Sequence, residues 1–254
     1  MDLPYRLDRV VVIAAPQAIV FSFFTEPDRW ASWWGTGSTI DARAGGRVFI
    51  RHPNGIEVSG EVIDVAPPDR IAFTYGFDTG APIPRDGSTV TIQLTPTSHG
   101  TRLHLTHEFA EAGVRDEHQQ GWRYQLSLFS NVATDLAHAG AAAAVDAWFD
   151  AWAEPVAEAR GDRLRGIAAA DVRFRDRFAL VDGIADLVPH IGATQRFMPG
   201  LRLRRSGAVR HCQGTLLVDW TASDPGGIEQ GRGTNVFSLR TDGLIDAVVG
   251  FWGG

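Results

Sequence analysis

The chain is 254 residues long and carries a formal net charge of −6 at pH 7. That length suits one large or two modest domains, each able to bury its own core, and the acidic balance excludes the basic excess on which nucleic-acid binding depends. Arginine is the only cation besides histidine, so no lysine is available for a Schiff base, and the lone cysteine, Cys212, cannot form an intrachain disulfide. With no signal peptide and no apolar run long enough to span a bilayer, the expectation is a cytoplasmic protein without membrane partners.

In chain order, Arg9–Ala14 alternates weakly and predicts a strand. Pro16 suits a first helical turn, so 18–24 reads as a short helix, and Arg29–Trp34 as a second after the break at Glu26-Pro27-Asp28. Strands are expected over 47–52, 56–65, 70–77, 88–95 and 101–109. Val90, Ile92 and Leu94 alternate with polar neighbours, as do Leu103 and Leu105, which predicts an antiparallel meander with one apolar face. A helix over 116–139, with Trp122, Leu126, Phe129, Ala133 and Leu136 on one stripe, is the element able to cover that face. His104 and His107, three apart on a strand, point to opposite faces and cannot share a metal.

Trp33-Trp34-Gly35, Ala44-Gly45-Gly46, Gly60-Glu61-Val62, Pro67 to Ile71, Thr101 through His107, and His118 with Gly121-Trp122 follow one another in order. Together they resemble the domain shared by homologues of the heat-shock-protein-90 ATPase activator, within the START-like (SRPBCC) superfamily. The resemblance implies a helix-grip fold over residues 1–140, with a curved sheet around one long helix and an apolar cavity between them. The expected walls are Trp122, Leu126 and Phe129 from the helix with Phe73, Tyr75 and Ile92 from the sheet, unless these side chains simply fill the core. His118 belongs to the same pattern, either as a helix-start contact or as a ligand contact.

Gly140 and the run Ala141–Ala144 form the joint before a second stripe, Val145, Trp148, Phe149, Trp152 and Val156. A further helix is expected over 162–170 with Asp162 as its N-cap, then a short strand at 172–174 and a turn at Val181-Asp182-Gly183. A third helix over 184–195 follows, with His190 near its apolar face reading as a satisfied core histidine. Strands over 201–212, 215–222, 229–240 and 244–252 complete an α+β cone, residues 141–254, with Asp224-Pro225-Gly226-Gly227 and Thr241-Asp242-Gly243 as hairpin turns. His211 and Cys212 are strand neighbours that point apart, so they form no dyad. No metal-ligand cluster has credible spacing, and nothing implies a cofactor.

Val172 to Asp176, Val181-Asp182-Gly183, Gly233 to Phe237, Asp242 to Ile245 and Gly250 to Trp252 resemble the SnoaL-like polyketide cyclases and the ketosteroid isomerases, of the nuclear-transport-factor-2-like superfamily. The resemblance places a general base at Asp176 and an oxyanion donor at Asn235, where the isomerases carry an acid. An amide donates a hydrogen bond at any pH. The isomerases' phenolic donor falls near Trp152, whose indole N–H is a candidate substitute, and Trp148, Trp152 and Phe237 are expected in the pocket wall. The implied chemistry is proton abstraction next to a carbonyl, in isomerisation or ring closure, since a carboxylate accepts the proton and a fixed N–H stabilises the enolate. Alternatively Asp176, between Arg175 and Arg177, is an exposed ion pair or caps the turn that follows. The expected ligand is a small hydrophobic molecule. The competing functions are a non-catalytic carrier or sensor and a chaperone-type interaction module, and the superfamily's sheet pairing leads to the expectation of a homodimer through the C-terminal domain.

Overall fold

The computed structural model describes residues 2–253, and the chain divides into two compact units, one running to Leu136 and the other starting at Ala137. Among the described residues no helix is long and apolar enough to cross a membrane.

Unit 1 contains β1 (Tyr5–Ile13), α1 (Gln17–Ser22), α2 (Pro27–Trp34), β2 (Thr39–Ile40), β3 (Arg47–Arg51), β4 (Glu57–Ala66), β5 (Arg70–Phe77), β6 (Ser88–Thr97), β7 (Gly100–Phe109) and α3 (Ala112–Ala137). The strands form a seven-stranded sheet in the order β1-β7-β6-β5-β4-β3-β2, and each described pairing is antiparallel. The period-two pattern decides its faces. In β7 Leu103, Leu105, His107 and Phe109 are buried, whereas the intervening His104 reaches Asp8 on β1, with Nε2 2.7 Å from Oδ1. α3 buries Trp122, Leu126, Phe129 and Ala133, while Leu136, expected on the same stripe, is exposed. The ring of Phe129 packs 5.7, 5.0 and 4.8 Å from those of Phe23, Phe24 and Trp33. The aromatic core therefore lies where α1 and α2 meet α3. Gln125 reinforces it by donating from Nε2 to the Trp33 carbonyl.

Unit 2 contains α4 (Ala141–Ala153), α5 (Ala157–Arg165), β8 (Ala168–Asp176), β9 (Ala179–Asp182), α6 (Ile184–Phe197), β10 (Arg202–Cys212), β11 (Thr215–Ser223), β12 (Glu229–Leu239) and β13 (Ile245–Trp252). Its sheet runs β10-β11-β12-β13-β8-β9, with β13 and β8 parallel. Val145, Trp148, Phe149 and Trp152 of α4 are buried against Phe174, Leu216, Val218 and Phe237. α4 ends at Ala153, because Pro155 cannot continue it, which leaves Val156 57% exposed and outside the stripe.

Two expected elements are different in the structure. The helix expected over 162–170 is α5, which begins five residues earlier and stops before Gly166, so Asp162 lies inside it rather than capping it. Ala168–Ala170 instead open β8, where Ala168 pairs with Ile245 and both Ala168 and Ala169 are buried. Alanine's helix propensity is overridden here by tertiary pairing. The turn expected at 181–183 also moves: Ala179–Asp182 is β9, paired to β8 from Asp176↔Ala179 to Arg173↔Asp182. The reversal lies at Arg177-Phe178, and Gly183, at φ 83°, leads into α6.

Candidate functional site

In unit 2, the alternation of β8 turns Val172, Phe174 and Asp176 to one face. Asn235 on β12 pairs with Gly250 on β13, and Val249 pairs with Arg175 on β8, so Asn235, Gly250 and Asp176 form a row across three strands. Gly250 is the gap in that row. A Cβ there would lie 3.2 Å from both Asn235 Oδ1 and Asp176 Cβ. These residues line a cavity of about 470 Å³ whose other walls include Trp148, Trp152, Phe174, Leu203 and Trp220. Phe178 and Phe197, exposed 67% and 86%, stand at its rim.

Four polar side chains give the cavity its chemistry. Asp176 accepts two hydrogen bonds, from the Phe178 backbone N–H to Oδ1 (2.7 Å) and from Trp252 Nε1 to Oδ2 (3.1 Å). The first is the turn-capping contact. No ion pair with a flanking arginine forms: Arg175 binds Asp182 at 2.7 Å, and Arg177 lies over the Phe178 ring, 4.8 Å from its centroid. Asn235, 5% exposed, accepts from Trp220 Nε1 through Oδ1 at 2.9 Å, which fixes the flip of the amide and leaves Nδ2 without a protein partner among the described residues. Trp220 can lie there because position 233 is glycine; a Cβ would come within 2.5 Å of the indole. Trp152 Nε1 is buried and unpartnered. His190 is not the satisfied core histidine expected from α6. Its ring stands in the cavity wall edge-on to Trp152, with centroids 5.9 Å apart, and its nitrogens have no hydrogen-bond partner among the described residues.

The structure thus gathers Asp176, Asn235, Trp148 and Trp152 around one cavity. Phe237 is not in the wall: it is fully buried behind it, 6.0 Å from the Trp148 ring and 6.4 Å from that of Phe149. Trp252, Gly250 and His190 were not expected as site residues, whereas of Asp219 and Trp220, strand neighbours on opposite faces of which one was expected in the pocket, it is Trp220 that lines it. The signal for Trp252 and Gly250 was their shared parity with the rest of the β13 inner face; for His190 there was none, because satisfaction of a histidine depends on neighbours remote in sequence.

Unit 1 holds a cleft of about 460 Å³ between the end of α2, the β3–β4 turn and the first half of α3. Tyr75 and Trp122 line it, but Phe73, Leu126 and Phe129 do not; they are core residues at 1, 3 and 0% exposure. The apolar positions expected to enclose a cavity instead fill the space between helix and sheet, because Phe23, Phe24 and Trp33 pack into it. Ile92 is buried in the same core. Trp34, His52, Gly121 and His118 are also in the walls.

Behind this cleft His107 is fully buried. Ser88 Oγ, which donates to the Tyr75 carbonyl (2.8 Å), receives the His107 Nε2–H (2.8 Å), and Nδ1 accepts from Trp122 Nε1 (3.0 Å). Burial, with a smaller contribution from nearby His118, holds the His107 pKa well below the usual histidine value. His118, whose Nδ1 lies 2.8 Å from the Val114 carbonyl, is also held down by burial, as is His52. The family pattern's His118 is therefore both a helix-start contact and part of the cleft wall.

Residues 14–133 match the family model described as "Activator of Hsp90 ATPase homolog 1-like protein", and the N-terminal half resembles that SRPBCC-type domain. Among solved structures, one of a putative isomerase of the SnoaL-like family from Agrobacterium tumefaciens is similar at 28% identity, covering 47% of this chain and 99% of its own, with a TM-score of 0.43. Protein MLL2253 from Mesorhizobium loti matches at 21% identity over 52% of this chain and 97% of its own, TM-score 0.46. CalU16 from Micromonospora echinospora matches at 25% identity over 49% of this chain and 74% of its own, TM-score 0.40. No curated protein matches the sequence.

Proposed function

We propose that the two units act as separate domains and that unit 2 binds a small apolar molecule with a carbonyl group and abstracts a proton next to it. The observation that carries this reading is the row Asn235–Gly250–Asp176 on the wall of an otherwise apolar cavity. Asp176 is the base. Each of its oxygens uses one lone pair on the turn or on Trp252, which leaves a second free. As the C–H bond breaks, its electron pair moves into the carbonyl system and the proton passes to the carboxylate. The oxygen, now bearing negative charge, takes hydrogen bonds from Asn235 Nδ2 and Trp152 Nε1, donors that the protein itself leaves unused. His190, the other titratable group in the wall, is the group available to return a proton at a second position.

Hydrogen–deuterium exchange tests this without the natural substrate. In D2O, the wild type should accelerate exchange at the α-carbons of 2-tetralone above the buffer rate, followed by proton NMR. Asp176→Asn keeps an oxygen for the Phe178 N–H and should reduce the acceleration by at least about 100-fold, the usual contribution of a positioned base. Wild-type exchange rates in the Asn variant would sink the assignment.

A second reading has its own support. Both Asp176 oxygens are already hydrogen-bonded, one of them in capping a hairpin. On that basis the cavity is a non-catalytic carrier site, and the same experiment separates the two: a carrier binds 2-tetralone and leaves its exchange unchanged.

A further inference from the structure

The reaction proposed for unit 2 needs a base and a donor whose orientations are fixed before the substrate arrives. Resting on that reading, we infer that Trp220, Gly233 and Trp252 form a positioning row, in which each indole orients one polar group of the site and offers the ligand no polar atom of its own.

Strand register sets the geometry. Trp220 pairs with Gly233, and Gly233 with Trp252, so the three lie side by side across β11, β12 and β13. Asn235 and Gly250 stand two residues away on β12 and β13, on the same face, and pair with each other. That face therefore carries two neighbouring rows, Asn235–Gly250–Asp176 and Trp220–Gly233–Trp252, each with a glycine in the middle. At Gly233 the missing side chain lets the two indoles meet. A Cβ there would come within 2.5 Å of the Trp220 ring and would also meet the Phe251 carbonyl. Without it the Trp220 and Trp252 rings stand edge to face, with centroids 5.0 Å apart and planes at 85°. Phe178 extends the contact, its ring 5.4 Å from that of Trp252 and at 80° to it.

Each indole gives its N–H to the other row. Trp220 Nε1 donates to Asn235 Oδ1 at 2.9 Å, and Trp252 Nε1 to Asp176 Oδ2 at 3.1 Å. Indole is a donor only. Beside Asn235 it selects the amide oxygen, which turns Nδ2 towards the cavity. A tyrosine or glutamine at 220 would bond either end of the amide and fix neither. Beside Asp176 the second indole occupies one lone pair of Oδ2 and holds the carboxylate plane. Both tryptophans line the cavity, yet their N–H groups are committed to protein acceptors, whereas Trp152 Nε1 in the same wall has none. The edge-to-face contact then ties base to donor, since neither indole can tilt without pressing on the other.

The test reads exchange of 2-tetralone by the full chain. Trp220→Phe keeps an aromatic ring in the row and removes the N–H. Its kcat should fall about 5- to 10-fold, the worth of the one hydrogen bond that fixes the amide, with KM moved less than about twofold. In an Asn235→Ala background, which has no amide to orient, the same change should cost less than about twofold. An equal loss in that background, a change in KM alone, or an unchanged kcat overturns the inference. A second measurement does not use turnover. In proton–nitrogen correlation spectra of the wild type, 2-tetralone should shift the Asn235 side-chain amide, identified by its loss in Asn235→Ala, and leave the Trp220 and Trp252 indole signals in place. Indole signals that move as far as the amide, or an amide that does not move, overturn the inference. This spectrum decides alone if Trp220→Phe does not fold. A wild type that accelerates no exchange but shows the amide shift refutes the reaction and leaves the positioning row standing.

Discussion

Acid should destabilise unit 1 through His107, by an amount that can be worked out. Ser88 Oγ takes the Nε2 proton and Trp122 points an N–H at Nδ1, so the native fold accommodates only the neutral ring. A second proton would place two N–H groups face to face in a fully buried position. The unfolded chain has no such restriction and takes up the proton below a pKa of about 6.5. The native pKa is lowered, so the stability contributed by keeping the ring neutral is complete above that value and is lost as pH falls below it. At pH 5.0 the loss for this one group has a ceiling of about 2 kcal/mol, set by the unfolded pKa alone. Asp8 acts in another window: its pKa is lowered to about 2, first by Arg6, so its contribution is present above about 4 and fades only in stronger acid. The assay is urea unfolding at pH 7.5 and 5.0, with tryptophan fluorescence, on the wild type and on His107→Gln. Glutamine keeps one donor and one acceptor but does not titrate. Since His52 and His118 are present in both proteins, the difference isolates His107. The wild type should lose more than the variant on acidification, by up to about 2 kcal/mol; equal losses would refute the argument.

Two further predictions concern unit 2. Arg160, 2% exposed, donates to the Glu154, Pro155 and Val188 carbonyls and to Gln195 Oε1, tying the α4–α5 connection to α6. Arg160→Met should cost about 3 kcal/mol, because these acceptors lose a buried partner, and urea unfolding followed at several wavelengths checks it; a loss under about 1 kcal/mol would mean water replaces the guanidinium. Phe237→Ala should cost about 3–5 kcal/mol, as expected for a fully buried aromatic behind the cavity. A calorimetric scan with an unchanged transition would show that the wall does not rest on it.

The elements legible in the sequence were those whose periodicity is local. Ser88–Thr97 and Gly100–Phe109 announce their inner faces by strict alternation, and α3 shows its stripe from Trp122 to Ala133. What escaped depends on partners distant in the chain. Ala168–Ala170 has helical composition and becomes strand only because β13 is alongside. In the same way, the apolar residues of α3 were legible as inward-facing, but not as core rather than cavity wall. That distinction rests on Phe23, Phe24 and Trp33 reaching the same space, and volume is not encoded in a stripe. At the candidate site, spacing and resemblance led to Asp176 and Asn235. The unused N–H of Trp152, the free imidazole of His190 and the gap at Gly250 could be found only once the strands were in register.

Capping and proton acceptance at Asp176 compete less than they first suggest. A carboxylate has about four lone-pair sites, and the hairpin and Trp252 use one on each oxygen. Those two contacts fix the plane of the group, and a base is effective only when its orientation is fixed before the substrate arrives. The polypeptide N–H of Phe178 asks only for an oxygen, which asparagine also offers. The proposed reaction asks for an oxygen that can keep a proton, which asparagine lacks. Asparagine keeps the hairpin contact but gives up the Trp252 one, since its amide nitrogen cannot accept from the indole N–H; a structural aspartate would therefore leave the exchange chemistry unchanged as Asn, whereas a catalytic one would keep its hairpin and lose its chemistry. The Phe178 hydrogen bond, which asparagine keeps, is what lets that single substitution separate the turn from the chemistry.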